Sequence, residues 1–383
     1  MRATDPRRLL VLPLALAAAL AGAATHVLQD QCGPFTDVSP LFCPYVLEAY
    51  YTGITAGTSP TTFSPDMPMT RGQAAVFVTK GLNQALARGS RRAALGQWWT
   101  PTAEALWFTP IRVDGPGFPV SDGSDIWVPL YGGGVERIRA SDGASLPGWS
   151  GADNGYAAIS AMGRIFVTGF RIPGRLYSLD PGLSPGTVTT VAADLGNDAG
   201  GIAFDGSRIW TANAGGSISI VTPAQTVPWT VTTIATGFSS PVGILFDGAN
   251  MWVSDLGLGA LLKLDPSGAI LQSIAIGSFP GFPAYDGQNI WVPDATSDSV
   301  VVIRAATGTV LATLSGNGLD RPISAAFDGD RVLIAGDNLS LWKATDLSAI
   351  GFISHPSMGL VGACSDGLNF WLTFVNTGEI ARF

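Results

Sequence analysis

One eight-residue phrase recurs along this chain and constrains its fold more than any other feature. It first reads Ser121-Asp122-Gly123-Ser124-Asp125-Ile126-Trp127-Val128, and it returns at 204–211, 246–253, 285–292, 327–334 and 365–372. A worn copy, Ala161-Met162-Gly163-Arg164-Ile165-Phe166-Val167, fills the one long gap. The anchors Asp122, Met162, Asp205, Asp247, Asp286, Asp328 and Asp366 are spaced by 40, 43, 42, 39, 42 and 38 residues. A period of that length marks a repeat architecture. Within each repeat, Asp-Gly supplies a tight turn, because Gly accepts positive φ and Asp bonds its own backbone. The β-branched and aromatic run that follows has the composition of a packed strand. Apolar runs before and after it, as in 242–246, 260–264 and 269–276, bring the count to four short hairpin-linked strands per repeat. That is the blade of a β-propeller. Pro116, Pro241, Pro280 and Pro322 each stand six residues before an anchor, where a blade begins and no ladder donor is lost.

The expected fold is therefore all-β, a seven-bladed propeller of four-stranded blades over residues 104–383. The large residue closing each phrase (Trp127, Phe166, Trp210, Trp252, Trp291, Leu333, Trp371) reads as packing between blades rather than as a ligand-stacking series. The chain ends after only three strands of the last blade. The spare apolar run 105–111 is predicted to close the ring beside 378–383, removing a free sheet edge.

Charged residues make up only 13% of the chain and Gly accounts for 48 of 383, which fits a turn-rich globular protein and not a disordered one. The net charge of −8, with no basic cluster in the body, argues against nucleic acid and against a polybasic membrane-surface site. Residues 1–23 read as a signal peptide: Arg2, Arg7 and Arg8, then apolar 9–20, then Ala21-Gly22-Ala23. The run is short for a membrane span, so an exported protein of the cell surface, periplasm or extracellular space is expected, not an integral membrane protein. Cys32 and Cys43 lie close together in such a chain, as a disulfide or as two separate thiols; Cys364, on an apolar strand, reads as a small buried hydrophobe.

Residues 32–87 read as a compact helical module joined to the propeller by a linker over 88–103. A short helix is expected at 44–51. Thr70-Arg71-Gly72-Gln73 forms a capping box opening a second helix, lined by Ala74, Phe77, Val78 and Leu82. Phe35-x-Asp37-Val38, Gly53-Ile54, Gly57, Phe63-x-Pro65 and Thr70-Arg71-x-Gln73-Ala74 together resemble a single S-layer homology motif. The resemblance implies non-covalent attachment to envelope polysaccharide or peptidoglycan, with Arg71 at a ligand-binding position beside Thr70 and Asp37. The family usually strings three motifs together where this chain has one, and Gln73 stands where an acidic residue commonly follows the Thr-Arg pair.

The propeller phrase resembles the NHL-type, YVTN-type and streptogramin-lyase-like propellers, motifs that specify fold rather than activity. Ligand candidates are the loops facing the central funnel, with Asp153, Asp198, Asp255, Asp294, Arg321 and His355 at its mouth. Oxygen donors of this kind suit Ca²⁺ or Mg²⁺, although Asp and Asn also serve simply as turn residues. The propeller holds one His, His355, so a general base and its orienting partner are hard to assemble. Three functions stay open: a non-catalytic propeller that binds or scaffolds an unknown protein or small molecule, a metal-dependent lyase or lactonase/hydrolase working in the funnel, and a surface-array or partner-binding component.

Overall fold

The structure is a computed structural model and describes residues 32, 34–39, 42–43, 46, 49–50, 55–78, 111–112, 114–354 and 359–383. The signal-peptide reading at 1–23, the linker 88–103, most of the closing run and His355 lie outside the described residues. The chain divides into two compact units, Met1–Arg88 and Gly89–Phe383.

The second unit is a ring of seven four-stranded antiparallel sheets. Six follow the chain in order; blade 4, for example, is built of Pro241–Phe246, Met251–Asp255, Ala260–Leu264 and Ile270–Ala275. The seventh combines Leu360–Ser365, Phe370–Phe374 and Glu379–Arg382 with Ile111–Arg112 as its outermost strand. Ile111 stands opposite Ile380 and Arg112 opposite Glu379. The closing strand is thus present, beside the segment expected, at the end of the apolar run.

The recurrent phrase is a carboxylate clamp. In blade 4, Oδ1 of Asp247 accepts the backbone N–H of Ala249 and Asn250 at 2.8 and 2.6 Å, which fixes the turn. Its Oδ2 accepts the indole N–H of Trp252 at 2.7 Å. The same indole bond joins Asp122 to Trp127, Asp205 to Trp210, Asp286 to Trp291 and Asp366 to Trp371, each at 2.8 Å. A Trp buried in a blade must find a partner for its N–H, and the turn carboxylate supplies it. Blade 2, with Met162 and Phe166, has lost both members together. In blade 6, where Leu333 replaces Trp, the Oδ2 of Asp328 accepts instead from Nε of Arg331 at 2.9 Å.

Each clamped side chain packs into the next blade. Trp127 shares a core with Ile165 and Val167 of blade 2, and Trp210 with Met251 and Val253 of blade 4. Trp252 meets Ile290, Trp291 meets Val332, Leu333 meets Leu372, and Trp371 meets Ile126 of blade 1. Phe166 occupies the equivalent place against Ile209. All seven are at most 1% exposed.

Polar links cross the same interfaces. A hydroxyl two residues after the Trp position donates to a backbone carbonyl in or just before the following blade's inner strand: Thr168 to Gly200 O, Ser254 to Gly281 O and Thr373 to Gly117 O, at 2.7, 2.7 and 2.8 Å. On the opposite face, cations stacked over the Trp rings reach the next blade's outer turn: Arg137 to Pro181 O, Arg208 to Pro266 O, Lys263 to Ala305 O and Arg382 to Ala140 O.

In the first unit, Cys32 is joined to Cys43 by a disulfide with Cα atoms 5.4 Å apart. Phe35, 1% exposed, centres a small core with Val46, Tyr50 and Phe63. Gly57, at φ +79°, lies so close to the Phe35 ring and Thr62 O that no Cβ fits there. Residues 71–78 are helical; Ala74 and Phe77 are half-buried, whereas Val78 is exposed instead of lining the inner face. Among the described residues no helix is long and apolar enough to cross a membrane.

Candidate functional site

The capping box opens the 71–78 helix as its spacing requires. The Gln73 side-chain oxygen accepts the Thr70 N–H at 2.8 Å, and the Thr70 hydroxyl accepts the Gln73 N–H at 3.2 Å. Asp37 is also committed: its two oxygens accept Phe63 N–H and Ser64 N–H at 2.8 and 2.7 Å. Those bonds hold its carboxyl below the ordinary range. Thr70 and Asp37 therefore shape the module. Arg71 remains, exposed on the first helical turn, with no ion pair among the described residues.

On the propeller, the funnel-mouth candidates separate into two kinds. Asp255 is fully buried; it accepts Ser239 N–H and Ser240 N–H at 2.8 and 2.9 Å, and Leu258 N–H at 3.1 Å. Asp294, 1% exposed, accepts Phe279 N–H at 2.9 Å and the Ser297 hydroxyl at 2.6 Å. Both tie a blade-to-blade loop to the loop after the second strand, and Asn213 stands at the same place in blade 3. They are loop fasteners. The others stay near the surface. Asp153 pairs with Arg171 at 3.3 Å. Asp198 is half-buried at φ 59°. Arg321 pairs with Asp337 at 3.2 Å while its N–H donates to Asp298. Among the described residues, no three His, Cys, Asp or Glu side chains stand close enough to share one metal ion.

The feature that sequence reasoning missed is aromatic. Phe118 of blade 1 and Phe282 of blade 5 meet across the ring, with centroids 3.8 Å apart. Tyr156 stacks on Phe118 at 5.3 Å, Phe170 stacks on Tyr156 at 4.9 Å, and Tyr131 meets Tyr156 edge-on at 5.7 Å. All five rings are half-buried. Burial pushes the Tyr156 hydroxyl up to about 12, and burial beside Tyr156 raises that of Tyr131 further. The signal was available in the sequence: Pro-Gly-Phe-Pro occurs twice, at 116–119 and 280–283.

Residues 34–75 match the S-layer homology domain. Domains of that family bind envelope polysaccharide, and one marks a protein associated with the cell surface. No curated protein matches the chain. The propeller is similar to a streptogramin B lyase structure, with a TM-score of 0.59 at 14% identity, covering 73% of this chain and 96% of that one. It is equally similar to Kuenenia stuttgartiensis hydrazine synthase (TM-score 0.60, 16% identity, 71% and 97% covered). The WD40 propeller domain of Doa1 gives 0.60 at 10% identity, with 73% and 96% covered. Likeness at such identities carries the fold and not an activity.

Proposed function

We propose that this is an exported, envelope-attached protein in which the S-layer homology module holds the chain non-covalently to envelope glycan and the propeller serves as a non-catalytic binding domain. The family match over 34–75 carries the reading. Arg71 supports it, since Thr70 and Asp37 are committed to the module's own backbone and leave its guanidinium facing solvent. A guanidinium recognises carboxylate and phosphate groups through paired N–H donors, groups that envelope polymers carry. On the propeller, the two most buried acids at the mouth hold their own loops, which favours binding over metal-assisted chemistry there. Co-sedimentation of the full chain with purified cell-wall material tests the attachment. Wild type is expected in the pellet and Arg71→Ala in the supernatant with an unchanged melting curve. Equal retention of both, or retention of neither, contradicts the assignment.

A further inference from the structure

The first unit is poor in buried apolar residues. Among those described, only Cys32, Phe35 and Val46 are buried, with Val38, Cys43, Tyr50 and Phe63 packed partly against them. Phe42, Met67, Met69, Val76 and Val78 stay more than half exposed. The seam between the last and first blades, by contrast, buries Ile126, Val128, Ile138, Ala140, Trp371 and Ile380. A unit this small and this thinly packed needs a staple. The Cys32–Cys43 disulfide is that staple, and both its residues belong to the small core.

What the disulfide joins decides what depends on it. Cys32 begins the segment that carries Phe35 and Asp37, and the Phe35 N–H donates to Cys32 O at 3.1 Å. Cys43 stands in the helical turn that supplies Val46 to the same core. The Phe35 ring lies between Tyr50, edge-on at 5.2 Å, and Phe63 at 5.7 Å. Thr36 N–H donates to Thr61 O at 3.0 Å, and Asp37 accepts the Phe63 and Ser64 N–H groups. The stapled segment thus orders the turn that leads to Thr70. None of residues 71–78 is fully buried. The helix carrying Arg71 therefore takes its position from that turn more than from packing of its own.

We propose that oxidation of Cys32 and Cys43 gates attachment: the module folds and presents Arg71 to envelope polymer only once the two thiols are bridged. This rests on the attachment reading above. In a reducing cytosol the module stays open, and export into an oxidising compartment closes it. The oxidant is a disulfide, of a small molecule or of a thiol–disulfide oxidoreductase, and it takes up two electrons. Cys43, half-buried where Cys32 is buried, exchanges first. Its thiolate attacks the oxidant, forms a mixed disulfide and expels one thiolate. The Cys32 thiolate then attacks the Cys43 sulfur and expels the second; the two cysteine protons pass to the released thiolates. Reduction runs the same steps backwards. Losing the bridge should shift the module's folding equilibrium about thirtyfold or more toward the open chain.

The test compares the full chain oxidised, the full chain kept in dithiothreitol, and the double variant Cys32→Ser/Cys43→Ser. Each is probed by limited proteolysis and by co-sedimentation with purified cell-wall material. Residues 24–88 contain no Trp, so Trp fluorescence follows the propeller alone, and its unfolding curve should be the same in all three. The oxidised chain should resist cleavage within 32–78 and pellet. The reduced chain and the double variant should be cut there at least tenfold faster and stay in the supernatant. The double variant, studied without reductant, separates loss of the bridge from any action of the reductant on the wall. Protease resistance of the reduced chain, or a double variant that pellets like wild type, overturns the gate alone. An oxidised, protease-resistant chain that fails to pellet overturns the attachment reading and the gate with it.

Discussion

Removing one turn carboxylate should destabilise the ring out of proportion to its surface position. Asp205 is the fullest case. It accepts from Ser207 N–H, the Ser207 hydroxyl, Arg208 N–H, Arg208 Nε and Trp210 Nε1, at 2.7–2.9 Å. Trp210 is 1% exposed, so Asp205→Ala strands its indole N–H in the core, at a cost of about 1–3 kcal/mol. The lost turn bonds to a charged acceptor raise the expected total to about 3–4 kcal/mol. Asp205→Asn keeps an oxygen for the turn but can set an amide N–H₂ against the indole N–H; about 2 kcal/mol is expected. The decisive measurement is a double-mutant cycle with Trp210→Phe, followed by urea unfolding monitored by fluorescence and circular dichroism. Once the indole donor is gone, the carboxylate matters less, so a coupling energy of about 1 kcal/mol or more is expected. Additive single effects, with coupling within about 0.3 kcal/mol of zero, would refute the clamp as an energetic unit.

Other outcomes follow from the same geometry. Burial opposes ionisation of Asp205, but the bonds from Trp210, Arg208 and Ser207 outweigh it and hold its carboxyl at about 2 against an ordinary 3.8. The stability it contributes is therefore complete only above about pH 5, well over the unfolded value, and is lost progressively as the pH falls through 2, so urea midpoints of wild type should drop across that window more steeply than those of Asp205→Asn. Thr373→Val deletes a hydroxyl that donates to Gly117 O across the closing interface and accepts Gly362 N–H within its own blade, and should cost about 1–3 kcal/mol in urea unfolding. A chain beginning at Asp114 lacks the Ile111–Arg112 strand and exposes Glu379–Arg382 as an open edge. By size-exclusion chromatography it should self-associate with rising concentration, whereas a chain beginning at Glu104 should not; identical monomeric profiles would contradict closure by that strand.

The ring was legible in the sequence because its period is a backbone property: Asp-Gly turns and β-branched runs dictate hairpins locally, and seven copies can bury their faces only against one another. The carboxylate–indole bond was legible too, though easily overlooked. Asp and Trp stand five residues apart in blades 1, 3, 4, 5 and 7, and blade 2 replaces both members with Met162 and Phe166. Burial of the mouth acids was not legible. Asp255 and Asp294 resemble any turn residue until the preceding blade-to-blade loop folds over them and donates its N–H groups. The aromatic strip depends on closure as well. Phe118 and Phe282 belong to opposite sides of the ring, and no local rule brings them within 3.8 Å.

Exchange of the indole N–H protons, followed by NMR on ¹⁵N-Trp-labelled protein, tests the clamp around the ring most directly. The indoles of Trp127, Trp210, Trp252, Trp291 and Trp371, each bonded to a turn carboxylate, should exchange slowly and become labile together on unfolding. Five indoles exchanging at solvent rates in the folded protein, or losing protection one blade at a time, would contradict it.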